Sequence, residues 1–376
     1  MVIRPRSAAV PFLLGILPLL AGIVTGCAPE TPETLATSPG PPGRATPRAL
    51  VTQPVVALND GAAPILALPI ALSVDPRGAF VVADRSDKDV KAYGPDGRRL
   101  RAIGRPGYGP GEFVALATAQ AYRDSVAAFD FLGARISVFD ASGRFARALP
   151  VRFDGVAKTW SLRVVDDSLF LLVGTPMGAP ESDLLALVRP DGSLVSSFFN
   201  RRRYFEGDPQ LIQRTAVLAD ARGGLVFAAL VGGDSLYVFD YAGRPLAVHP
   251  LDPERPLVTS KTLLKRNRGR PNDRSGRSVL DGNRIIIDLV ALDSATVAVQ
   301  LVRYDARQGV DQLEGGTLVV SALNGGAVRT LARGQVQGAL LGRDREDNPL
   351  LLAYGSPAGD VHVVQRLLLP ERGRNR

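Results

Sequence analysis

The chain has 376 residues, 45% of them hydrophobic and 22% charged, which is ample for a large core and fits one big all-β domain or two smaller ones. Its 39 glycines and 29 prolines argue for many turns over long helices, and its single cysteine excludes a disulfide framework. The formal charge of +8 is almost entirely arginine, with lysine only at Lys88, Lys91, Lys158, Lys261 and Lys265; arginine in place of lysine across a whole chain follows coding-DNA composition, so the global charge names no partner by itself.

The first six residues, "MVIRPR", carry Arg4 and Arg6, and no charge follows from Ser7 to Gly26. A positive start, an apolar run and small residues at its end form an export signal over residues 1–26. Pro11, Gly15, Pro18 and Gly22 interrupt the run as a membrane-spanning helix, and no basic stop-transfer cluster comes after it. The run ends in "VTGC", Val24 to Cys27. This resembles the lipobox of bacterial lipoproteins, with Val24 in place of the usual leucine. The resemblance implies cleavage before Cys27, lipid on its thiol, and a membrane partner reached through that lipid; several acyl chains on one residue give stable anchoring. Ala28, where an aspartate would retain such a protein at the inner membrane, points to the outer membrane of the cell envelope. Residues 27–50, rich in Pro, Thr and Gly, read as a semi-extended tether.

From about residue 50 two short signals alternate. One is a turn followed by an apolar strand, as in "VDPRGAFVVAD" (74–84), "VDDSLFLLV" (165–173) and "ADARGGLVFAAL" (219–230), led by Asp75, Asp124, Asp167, Asp220, Asp293 and Asp344. The other is a strand closing on a Gly turn, as in "VKAYGPDGR" (90–98), "ISVFDASGR" (136–144) and "LYVFDYAGR" (236–244). Six copies of a four-strand unit near fifty residues predict an all-β, six-bladed β-propeller over residues 51–370, followed by a basic tail, 371–376. Near-continuous apolar strands such as "FVVAD" fit sheets covered on both faces. The sixth unit lacks an outer strand, and "VTQPVVAL" (51–58) is expected to supply it and close the ring. The stretch "IGRPGYGPGEF" (103–113) resembles the linker between blades of NHL-repeat six-bladed propellers, which implies that Phe113 fills the seam between the first two blades.

Two connections are unusual: "NRRRYFEGDPQ" (200–210) and the long one containing "SKTLLKRNRGRPNDRSGRSVLDGNR" (260–284). Residues 250–284 hold nine basic and four acidic residues, so the mature chain's surplus charge is concentrated there. Arg201, Arg202, Arg203, Lys265, Arg266, Arg268 and Arg270 are the candidate binding residues, able to pair with phosphate or carboxylate. The partner classes are anionic lipid headgroups, glycans or an acidic protein, set against the plainer reading of a solvated loop. Export and the lack of an aromatic platform argue against nucleic acid. His249 and His362 are too few for a histidine metal cluster and read as structural, and no nucleophile motif is present. The expectation is a binding or scaffold module without catalytic residues, cofactor or metal. The alternative is a hydrolase like the lactonases among such propellers, whose central metal is held by Glu, Asn and Asp; Asp84 and Asp130, at the ends of equivalent second strands, would then face the tunnel, or else cap backbone amides as turn aspartates do. Trp160 is expected in inter-blade packing, with Phe129, Phe139, Tyr237 and Phe239.

Overall fold

A computed structural model describes residues 47–59, 66–174, 181–204, 217–266, 280–304, 316–324, 327–354 and 361–369. The signal segment, Cys27, most of the tether, Arg268, Arg270 and the basic tail lie outside the described residues.

The apolar runs between Asp and Gly turns form strands that pair antiparallel with their sequence neighbours. The chain starts with β1 (Arg48–Ala49) and β2 (Val51–Leu58). Blade one is β3 (Pro69–Val74), β4 (Phe80–Asp84), β5 (Asp89–Tyr93) and β6 (Arg99–Ile103). After the short parallel pair β7 (Arg105–Pro106) and β8 (Glu112–Phe113), blade two is β9 (Leu116–Tyr122), β10 (Ser125–Asp130), β11 (Arg135–Phe139) and β12 (Phe145–Pro150). Blade three is β13 (Thr159–Val165), β14 (Leu169–Gly174), β15 (Asp183–Val188) and β16 (Leu194–Asn200), followed by a one-turn helix, α1 (Arg201–Tyr204). Blade four is β17 (Val217–Arg222), β18 (Leu225–Leu230), β19 (Ser235–Asp240) and β20 (Pro245–Pro250), and α2 (Ser260–Arg266) lies in the connection that leaves it. Blade five is β21 (Arg284–Ala291), β22 (Thr296–Arg303), β23 (Gly316–Asn324) and β24 (Ala327–Val336), extended at its outer edge by β1 in parallel. Blade six is β25 (Ala339–Arg343), β26 (Pro349–Tyr354) and β27 (His362–Leu368), with β2 as its fourth strand.

The result is the six-bladed propeller, closed by the N-terminal strand as expected. β2 pairs antiparallel with β27 from Val51↔Leu368 to Leu58↔His362. A recurring contact shows that β2 occupies a true outer-strand position. In blades one, two and four the glycine of the third-to-fourth-strand turn rests on the preceding blade's outer strand: Gly143 against Arg101 and Ile103, Gly243 against Phe198, and Gly97 against Val56 and Ala57 of β2. At Gly97, with φ of +79°, an added Cβ would lie 2.1 Å from the Ala57 carbonyl oxygen, so only glycine fits.

The core is divided into seams between blades. Along β4, Val81 and Ala83 pack toward blade two while Phe80 and Val82 pack toward blade six. Alternate residues of one strand thus serve two seams, which is why all five positions of β4 are buried. Phe113 is fully buried in the seam of blades one and two, as expected. Its ring is so close to Gly104 that a Cβ there would sit 2.2 Å away. The first strands of neighbouring blades touch one another and form the inner ring. All six run the same way, so their first turns gather at one end of the central channel and the blade connections at the other.

Candidate functional site

At the connection end, Asp84 and Asp130 hold the backbone instead of facing the tunnel. Asp84 accepts hydrogen bonds from the amides of Ala67 (2.7 Å) and Leu68 (3.0 Å) and from the Lys91 ammonium (2.8 Å). Burial alone would raise its carboxyl; the Lys91 bond and the amides outweigh that and hold it below the ordinary carboxylate range. Asp130 accepts from the amides of Ala115 (2.9 Å) and Val114 (3.2 Å). Each aspartate clasps the segment entering the inner strand of its own blade, which is the amide-capping role and not the tunnel-facing one. Among the described residues no group of three or more His, Cys, Asp or Glu is placed to hold a metal ion. His249 and His362 are buried, and burial lowers both imidazoles below the ordinary histidine value.

Of the predicted basic residues, Arg201, Arg202 and Arg203 are each taken up by their own neighbours. Arg201 is buried on α1, its amide donating to Ser182 (3.0 Å). Arg202 is ion-paired with Glu181 (2.7 Å), and Arg203 lies over the Tyr204 ring at 5.9 Å. Lys265 and Arg266 are exposed at the end of α2. Arg284, counted in the basic surplus, is bound with Arg333 to buried Asp252. Trp160 packs between blades as expected: 38% exposed at the connection end, its ring stands edge-on to Phe131 of blade two at 5.6 Å with Arg85 of blade one over it at 5.7 Å.

The other end of the channel holds the feature that sequence reasoning missed. All six blades line a cavity of about 340 Å³ there. Its walls are the last residues of the inner strands and the turns that follow them. Polar links pass from blade to blade around the ring: Ser73 accepts from the Ala121 amide (2.8 Å), and Gln120 from the Val164 amide (2.6 Å). Arg163 of blade three pairs with Asp288 of blade five at 3.0 Å. Arg343 of blade six donates to Asp220 of blade four (2.7 Å) and to the Ala291 carbonyl (2.7 Å), and Asp220 also accepts from the Ala291 amide (2.9 Å). Arg222 of blade four bridges Asp347 (2.9 Å) and Asp166 (3.4 Å), and Asp166 accepts from the Tyr241 hydroxyl (2.6 Å). Asp220 was expected to lead a turn; it lies within β17 instead, and the Gly223–Gly224 pair makes the turn.

Asp288 differs electrostatically from Asp84. Its carboxyl is pushed up to about 6 by burial, which Arg163 only partly offsets and the Asp220 charge reinforces. Backbone strain is concentrated at the same end. Among the described residues seven non-glycine residues have positive φ, and four of them line this cavity: Arg123 (+52°), Asp166 (+47°), Asp167 (+55°) and Asp347 (+61°). Left-handed backbone outside glycine costs energy and gathers at functional sites. Guanidinium, carboxylate, amide and hydroxyl groups converging on one cavity can hold a polar molecule by charge and hydrogen bonding.

No protein-family model matches the chain, and no curated protein does either. Solved structures do resemble it. A candidate exported protein from Bacteroides fragilis superposes with a TM-score of 0.54 at 10% identity, over 86% of this chain and 95% of that one. A member of the DUF4221 family from Bacteroides vulgatus gives 0.52 at 10% identity, over 86% and 98%. At these identities the likeness is one of fold.

Proposed function

We propose that the protein is an exported, lipid-anchored binding module of the cell envelope whose ligand sits in the charged mouth at the turn end of the central channel. The observation that carries the binding site is the convergence of all six blades on one cavity of about 340 Å³ walled by arginine and aspartate. A cavity near the lower end of the usual range for small-molecule sites, roughly 300–1,000 Å³, suits a compact polar ligand. A thermal-shift screen of the full chain in detergent against polar metabolites tests this, run beside a Pro76→Trp variant that narrows the mouth at an exposed turn. Stabilisation of the wild type that the variant loses supports the site. A screen without any stabilising ligand, or ligands that stabilise both proteins equally, overturns it.

The anchor and the envelope location rest on the "VTGC" segment and the uncharged run before it. Cys27→Ser is expected to abolish palmitate labelling and leave the precursor uncut; normal labelling of that variant removes the lipoprotein reading. At the connection end, exposed Lys265 and Arg266 support contact between the basic segment and an anionic partner. Replacing Lys265, Arg266, Arg268 and Arg270 together by alanine is then expected to lower retention on anionic liposomes at low salt.

A further inference from the structure

The charges in the mouth sort into those satisfied within the protein and those that are not. Arg163, Arg222 and Arg343 are each held by a carboxylate, as described above. Arg123 and Arg345 are different. The Arg123 guanidinium donates through Nε to the Asp167 carbonyl (3.1 Å) and lies 5.3 Å from the Tyr122 ring centroid. Arg345 donates to the Pro76 carbonyl. Neither has a carboxylate partner among the described residues, and both keep most of their N–H donors free. They stand on the first turns of blades two and six, the two neighbours of blade one, whose Pro76 lines the cavity between them. One carboxylate in the cavity also lacks a cation: Asp167, whose nearest donor is the Arg123 amide at 3.4 Å. Arg123 and Asp167 are held in left-handed backbone, a cost that ordinary turn residues would avoid.

Resting on the central-mouth reading, we propose that the ligand is a small molecule carrying a carboxylate or phosphate group together with a primary amine, its anionic group held by Arg123 and Arg345 and its amine by Asp167. Guanidinium suits the anionic end because its planar fork pairs two oxygens at once. In a cell envelope that chemistry has two sources, a free zwitterion such as an amino acid and the phosphoethanolamine headgroup of a lipid.

Calorimetry on the full chain in detergent separates these, with glutamate, glycine and O-phosphoethanolamine as soluble probes, and the same detergent doped with phosphatidylethanolamine or only with phosphatidylcholine as the lipid arm. At least one probe of these two arms is expected to bind. Arg123→Ala and Arg345→Ala are each expected to weaken it at least tenfold while the melting temperature stays within a few degrees, since both residues lie in exposed turns. Asp167→Asn is expected to weaken the zwitterion at least fivefold and to leave binding of its N-acetylated counterpart unchanged. Binding of detergent-dispersed phosphatidylethanolamine alone, lost in the arginine variants, assigns the lipid source. Failure of every probe in both arms, or binding that both arginine variants retain, overturns the proposal, and an N-acetylated probe that binds as tightly as its parent overturns the amine assignment. A neutral polar ligand lost in Pro76→Trp but kept in the arginine variants overturns the charge assignment and leaves the central-mouth site standing.

Discussion

Aspartates stand at both ends of the channel and do opposite work. At the connection end, Asp84 sits among amides and a buried ammonium, and its carboxyl is held below the ordinary range. At the turn end, Asp288 faces one arginine in a closed setting with Asp220 nearby, and its carboxyl is pushed up to about 6. One residue type therefore yields a structural clasp where several donors converge, and a titratable group where burial outruns the donors. The difference teaches that an aspartate at a strand end identifies a turn, and that its neighbours across the fold decide whether it is used for architecture or chemistry.

The largest expected effect breaks the clasp. Asp84→Ala leaves the Lys91 ammonium half-partnered and the amides of Ala67, Leu68, Ser86 and Asp87 without this acceptor, which costs on the order of 3–5 kcal/mol by analogy with broken buried ion pairs. Asp166→Ala at the turn end removes partners of Arg222 and Tyr241 at an exposed position and costs at most about 1 kcal/mol. Urea unfolding of the two variants checks this. Equal losses would erase the distinction between the ends.

The next effect sharpens the comparison through pH. Asp288 binds its proton more readily folded, at about 6, than unfolded, near about 3.9. The stability that comes from its protonation is complete below the unfolded value and disappears as the pH rises through about 6. Asp84 has the opposite sign: its folded carboxyl is lowered, so its contribution is present above the unfolded value and fades as the pH falls. Relative to Asp288→Asn, the wild type should lose on the order of 2 kcal/mol of unfolding free energy between pH 4 and pH 7. A difference between the two proteins that stays flat across that range would show that Asp288 keeps an ordinary carboxyl.

The fold was legible because its signals are local and repeated. Period-two burial shared between two seams makes "FVVAD" uniformly apolar, and the Asp–Gly turns mark where each blade folds back. Even the ring closure could be read, since "VTQPVVAL" is a strand pattern with no blade of its own. The candidate site was not legible, because its pairs join residues far apart in sequence. Arg163 and Asp288 are 125 positions apart, and Arg343 and Asp220 are 123. Nothing near Asp220 distinguishes it from the turn aspartates; only the Gly223–Gly224 turn that follows moves it onto the inner strand. The arginine clusters drew attention by composition, yet local neighbours, Glu181 for Arg202 and Tyr204 for Arg203, occupy them. A faint signal was present in "YRD", "DAR" and "GRDRED", where arginine recurs at the ends of inner strands.

The smallest expected effect tests whether the turn end stores strain for its chemistry. Arg123 has a φ of +52° in the tight turn between β9 and β10, where glycine would be at ease. Arg123→Ala and Arg123→Gly both delete the guanidinium, its bond to the Asp167 carbonyl and its place over Tyr122, so the difference between them isolates the backbone. At an ordinary position the alanine variant would be the more stable, because glycine loses more freedom on folding. Here the left-handed conformation penalises alanine by about 1 kcal/mol, and the glycine variant should be the more stable by a similar amount. If alanine proves equal or better, the turn is relaxed as it stands, and the arginine at this position needs no compensating gain from a ligand. If glycine wins, the wild-type residue is held at a cost that the fold itself does not recover, as expected of a group kept for what it binds.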